Sequence, residues 1–186
     1  YALRPESLEP LKGSGLKLNQ VPPSNEPMLV LVHGTFVETV STFGKLWALH
    51  PQRVRALFTA YGGRVYALDH PTLGASPVAN ALTLVRALPK GARLHLATHS
   101  RGGLVAEVLA RVAAQPRLTA DDLAFFAGAG LAGQRAELQA LAKAVDEQGI
   151  TVERIVRVAC PARGTLLASK RLDAYLSVLK WSLELT

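Results

Sequence analysis

Between Pro27 and Gly34 stands an apolar run, Met28-Leu-Val-Leu-Val32, and it restricts the fold more than any other stretch of the chain. A strand wetted on one face alternates apolar and polar side chains. One that is apolar at every position is covered on both faces, as in a parallel sheet between two layers of helices. The rest of the chain supplies those layers. Leu46 to Tyr61 carries Leu46, Val54, Leu57 and Phe58 at helical spacing and is closed by Gly62-Gly63, the place where a helix needs a left-handed residue. Arg64 to Leu68 reads as a second strand, and Pro77 opens a helix that runs to about Leu88, proline being suited to a first helical position. Ala92 to Thr98 is a third strand, followed by a helix over Arg101 to Ala114 with Leu104, Val105, Val108, Leu109 and Val112 at core spacing. Thr119 and Asp122 are spaced as a capping box for a short helix. Gln134 to Gln148 is a further helix, Thr151 to Ala159 a strand, and Leu172, Tyr175, Leu176, Leu179 and Leu183 mark an amphipathic C-terminal helix. Strands alternating with helices predict an α/β fold, a three-layer sandwich around a mostly parallel sheet. Residues 1–27, punctuated by Gly13, Gly15, Pro22, Pro23 and Pro27, read as an N-terminal arm or edge strand, and residues 28–186 as the core.

Composition removes several classes. With 49% hydrophobic and 19% charged residues and a mean hydropathy of +0.19, the chain lacks the low hydrophobicity and high charge of a disordered protein. The lone Cys160 excludes an intrachain disulfide and a multi-cysteine zinc site. The net charge of +7 raises nucleic acid or an anionic membrane as partners. The arginines, however, are scattered singly, and aromatics are 6% of the chain, so solvated surface charge is the expectation and nucleic acid is not. No apolar stretch is long enough for a transmembrane helix. Arg4, Glu6 and Glu9 interrupt any signal-peptide core. One cysteine suits a reducing cytoplasm, the expected compartment, and a start at Tyr1 rather than methionine leads us to expect a processed or trimmed chain.

Ligands in open parallel sheets sit beyond the carboxyl ends of the strands, which directs attention to the residues after Val32, Leu68, Thr98 and Ala159. After the third strand comes Ala97-Thr98-His99-Ser100-Arg101-Gly102-Gly103 and then a helix. A serine at such a strand-to-helix turn is held at the sheet rim, and the positions two before and two after it must be small. Gly102 meets this rule; Thr98 is small but β-branched. Gly103 lets the helix approach the sheet. After the first strand comes His33-Gly34-Thr35-Phe36. A loop there and the residue after the serine are positioned to offer two N–H donors to an oxyanion, which points to the backbone of Thr35 and Arg101. His33 is then expected to orient its loop.

On these two motifs, from Met28 to about Val158, the chain resembles the α/β-hydrolase family, in particular bacterial esterases and lipases of the His-Gly-x and x-His-Ser-x-Gly type. The segment Val158-Ala-Cys-Pro-Ala-Arg-Gly-Thr165 is also similar to a strand-end loop of such enzymes. The resemblance implies Ser100 as nucleophile, an ester or lipid as substrate, and no cofactor. It also marks a departure. In this family serine, acid and histidine follow one another along the chain, yet His33, His50, His70, His95 and His99 all precede Ser100. The family's last two strands have no counterpart either. The reading is therefore the N-terminal portion of the fold, incomplete at its C-terminal end. The acid and histidine would come from a segment absent from this chain, either a C-terminal fragment or a partner chain completing the sheet.

Each candidate has a plainer alternative. Ser100 suits a helix N-cap. His99 fits a pocket wall, His50 and His70 a surface, and His95 a satisfied core or edge position. Asp173, the carboxylate shortly after the last strand, is a candidate triad acid, although an Asp at a helix start more often serves the helix dipole. Cys160 is expected to pack, and Leu123 to Gly133 to lie buried beneath the sheet. A second function class is a non-catalytic hydrolase-like module that binds or regulates a partner through an open sheet edge.

Overall fold

The computed structural model describes residues 1–9, 21–128 and 130–161. The expected C-terminal helix, Asp173 and part of the N-terminal arm lie outside the described residues. Among the described residues four strands form one parallel sheet in the order β2-β1-β3-β4, with β1 at Met28–Val32, β2 at Val65–Leu68, β3 at Arg93–His99 and β4 at Thr151–Val158. The helices are α1 (Thr39–Leu49), α2 (Pro51–Ala60), α3 (Pro77–Ala87), α4 (Gly102–Ala114), α5 (Ala120–Ala124) and α6 (Ala132–Gln148). The fold is α/β, as the alternation predicts.

Both faces of β1 are buried, which accounts for its unbroken apolar run. Met28, Val30 and Val32 face one core with Leu68, Leu84, Leu96, Leu109 and Leu141, drawn from the sheet and from α3, α4 and α6. Leu29 and Leu31 face a second core with Val54, Phe58, Val65 and Ala67, under α1 and α2. Residues 1–3 run antiparallel beside β2: the Tyr1 ammonium donates to the Ala67 carbonyl, and the Leu3 N–H donates to the Val65 carbonyl, both at 2.9 Å. Cover on the second face fades toward β4. There Val156 and Val158 are 60% and 55% exposed, because α1 and α2 sit over the β1–β2 half.

Two local expectations are corrected. The single helix over Leu46–Tyr61 is two, since His50 leaves helical geometry at φ −134° and ψ 50° and Pro51 begins α2. Proline lacks an N–H and disfavours helical backbone at the residue before it. Leu123 to Gly133 is not buried beneath the sheet: among its described residues none is fully buried, and Phe125 is 81% exposed. The Thr119–Asp122 capping box does form, with the Asp122 N–H donating to Thr119 Oγ1 and the Thr119 N–H to Asp122 Oδ2. Those bonds and Arg111 hold the Asp122 carboxyl down at about 2.

Candidate functional site

After β1 the chain steps outward to β2 and returns across β1 to form β3 on its other side. Connections leave in opposite directions from β1 and β3, so a crevice opens between their carboxyl ends, the usual ligand position in such sheets. Gly34 and Ser100 stand there. A Cβ added to Gly34 would lie 2.8 Å from Ser100 Cβ and 3.1 Å from His99 Nδ1. The His-Gly loop and the serine turn are thus packed against each other with no room for a side chain between them.

Ser100 has φ +51°, a left-handed backbone that costs an ordinary L-residue about 1–2 kcal/mol. Its N–H donates to the Val158 carbonyl at 2.8 Å, tying the turn to the end of β4. Ser100 is not the cap of α4: the N-cap is Arg101, and no side chain caps that end. Close packing explains the small residues that follow. A Cβ on Gly102 would stand 2.4 Å from the Val32 carbonyl oxygen and 2.6 Å from that of His33. One on Gly103 would meet Cys160 Sγ at 2.4 Å, so Cys160 packs on the first turn of α4. Thr98 is tolerated because its Oγ1 donates to the Val156 carbonyl at 3.0 Å while the residue is fully buried.

Thr35 lies in the turn after β1, next to Phe36, whose φ is +61°. Among the described residues neither the Thr35 N–H nor the Arg101 N–H is engaged by a carbonyl or side chain.

His33 is buried and joins two loops. Its Nε2 accepts the His70 N–H at 3.1 Å, and its Nδ1 lies 2.8 Å from the Gly34 carbonyl oxygen. Nδ1 therefore carries the hydrogen and Nε2 the lone pair. The 3.5 Å approach of Asp69 Oδ1 to that Nε2 is consequently no ion pair. Asp69 Oδ1 is occupied by the Thr39 N–H at 2.9 Å and the Thr39 hydroxyl at 2.6 Å, fixing the start of α1.

His70 is not at the surface. It is 7% exposed and stacks on His33 with ring centroids 4.2 Å apart. Burial, then the neighbouring His33, press its pKa down to about 4. It follows β2, with β1 between it and the Ser100 strand. His95 hydrogen-bonds to Tyr61 Oη at 2.8 Å and lies 3.3 Å from Glu153 Oε2. His50 is exposed, and His99 Nδ1 is buried without a hydrogen-bond partner among the described residues.

Sequence reasoning did not single out the Arg101 side chain. Its Nη2 donates to the Ala75 carbonyl at 2.5 Å, while its Nε is buried with no partner among the described residues. The signal available was its place directly after Ser100, where a side chain is drawn over the sheet rim. Among the described residues no group of three or more His, Cys, Asp or Glu is arranged to hold a metal ion, and no helix is long and apolar enough to cross a membrane.

No curated protein and no solved structure matches the chain. A family comparison matches residues 9–146, about three quarters of its length, to the domain of unknown function DUF7379. The chain belongs to the DUF7379 family.

Proposed function

We propose that this chain carries the nucleophile and the oxyanion-binding groups of a serine hydrolase acting on carboxylic esters. The observation that carries the reading is the backbone of Ser100. A non-glycine residue with φ +51° sits between a parallel strand and a helix start, packed on a glycine loop, with N–H donors not engaged among the described residues. Strain of this kind persists where the surroundings impose it, and it gathers at reactive sites.

In this reading Ser100 Oγ attacks the ester carbonyl carbon and its proton passes to a general base. The carbonyl oxygen becomes an oxyanion held by the N–H groups of Thr35 and Arg101, each donor contributing about 3–4 kcal/mol. Collapse expels the alcohol, which takes the proton, and water then releases the acid from the acyl-enzyme. The base and acid come from a segment outside these residues, in the parent polypeptide or a separate chain. His33 serves the loop that carries Thr35, because both its ring nitrogens are occupied.

A fluorophosphonate probe tests this. The parent protein with a histidine-bearing segment should gain an adduct at Ser100, located by peptide mass spectrometry, and Ser100→Ala should lose it. A folded parent that never labels at Ser100 overturns the reading. That outcome would favour a non-catalytic module acting through the outer edge of β4, which pairs with no described strand and exposes Val156 and Val158.

A further inference from the structure

We propose that the Arg101 guanidinium recognises an anionic group on the ligand of this site, so that Ser100 acts on esters bearing a carboxylate near the scissile bond. The word ester rests on the acyl-transfer reading; the recognition of an anion does not. Arg101 occupies the N-cap of α4 and reaches across the sheet rim to the loop after β2, where Nη2 meets the Ala75 carbonyl. That bond engages one of the guanidinium's five N–H groups. Nε is buried with no partner, and no carboxylate pairs with Arg101 among the described residues.

The neighbouring ring supplies no counter-charge to the Arg101 guanidinium. His70 is held neutral beside it, and the Arg101 charge contributes to lowering the His70 pKa. Asp69, next to His70 in sequence, raises the His70 pKa and has its Oδ1 bonded to Thr39, and it forms no pair with Arg101 among the described residues. Burial lowers the Arg101 pKa with no opposing carboxylate effect. A partly desolvated cation is unfavourable unless an anion joins it. The Nη1 hydrogens make no bond among the described residues, and a carboxylate can take charge-assisted hydrogen bonds from them. The N-terminus of α4 adds positive potential at the same place.

Two matched probes separate charge recognition from plain fit: monomethyl succinate, which ends in a carboxylate, and methyl butyrate, which ends in a methyl group. Calorimetric titration of the full chain should give monomethyl succinate an affinity at least about tenfold above that of methyl butyrate, the scale of a charged hydrogen bond. Arg101→Gln should remove that preference, and Arg101→Lys should keep part of it. Ser100→Ala should retain it, since binding does not need the hydroxyl. Equal affinities for the two probes in the unaltered chain overturn the proposal without any variant, and so does a preference that survives in folded Arg101→Gln. If Arg101→Gln does not fold because the Ala75 contact is lost, the matched-probe comparison and Arg101→Lys decide alone. Failure to label with fluorophosphonate alongside a carboxylate preference would sink acyl transfer and leave the anion site standing. Labelling without the preference would do the reverse.

Discussion

At Gly102 the chain cannot accept even one methyl group. The hydrogen there faces the carbonyl oxygens of Val32 and His33 at distances a Cβ would reduce to 2.4 and 2.6 Å, and both obstacles are backbone of β1 and its loop. Gly102→Ala should therefore cost about 3 kcal/mol or more, the upper range for overpacking, read as a lowered urea midpoint with an unchanged slope. His70 gives a pH signature instead. Its pKa falls from an ordinary 6.5 to about 4 in the folded chain, so between those values the unfolded chain binds the extra proton. Stability should be level above pH 6.5 and decline as the pH drops toward 4, by up to about 3 kcal/mol from this residue. His70→Gln should flatten that slope in denaturant titrations at a series of pH values; an unchanged slope would show that His70 is free to protonate in the fold. The tight spacing at Gly102 was legible from sequence, because the serine motif demands a small residue there. The burial of His70 was not, since Asp69-His70-Pro71 reads as a loop and nothing local reveals that the His33 ring lies over it.

Elements are held to the sheet by packing far more than by charge, and α4 allows the two to be compared. Leu109 is fully buried in the core beneath α4, while Glu107 on the same helix pairs with Arg157 of β4 at the surface. Leu109→Ala should cost about 2–5 kcal/mol; Glu107→Gln should cost less than about 1 kcal/mol. Chemical denaturation of the two variants checks the ratio, and similar costs would mean that the surface pair anchors β4. Periodicity located most elements because it reports the face that becomes buried. It joined α1 to α2 because apolar spacing continues through His50-Pro51, although the backbone does not. It also misplaced Leu123–Gly133: an apolar stretch without charge reads as core, yet α5 is too short to carry Phe125 inward.

Taken whole, the molecule sets the end of β3 beside the end of β1, and this follows from strand order rather than from any local signal. Alternation of strands and helices established the parallel sheet; that β1 separates β2 from β3 depends on crossovers which periodicity does not encode. The same order bears on the general base that the proposed reaction needs. His70 follows β2 and is separated from the Ser100 strand by β1, His33 has both nitrogens occupied, and no histidine follows Ser100 in the sequence. An unassisted serine hydroxyl is a weak nucleophile, so the chain by itself should react slowly with a fluorophosphonate. A diffusible base should then substitute for the missing side chain. Added imidazole should accelerate labelling at Ser100 in proportion to its free-base fraction and leave Ser100→Ala unlabelled, as followed by intact mass against time. If the chain instead labels rapidly without imidazole, and His70→Gln or His99→Gln abolishes that labelling, an upstream histidine is the base. The active centre would then be complete within these residues.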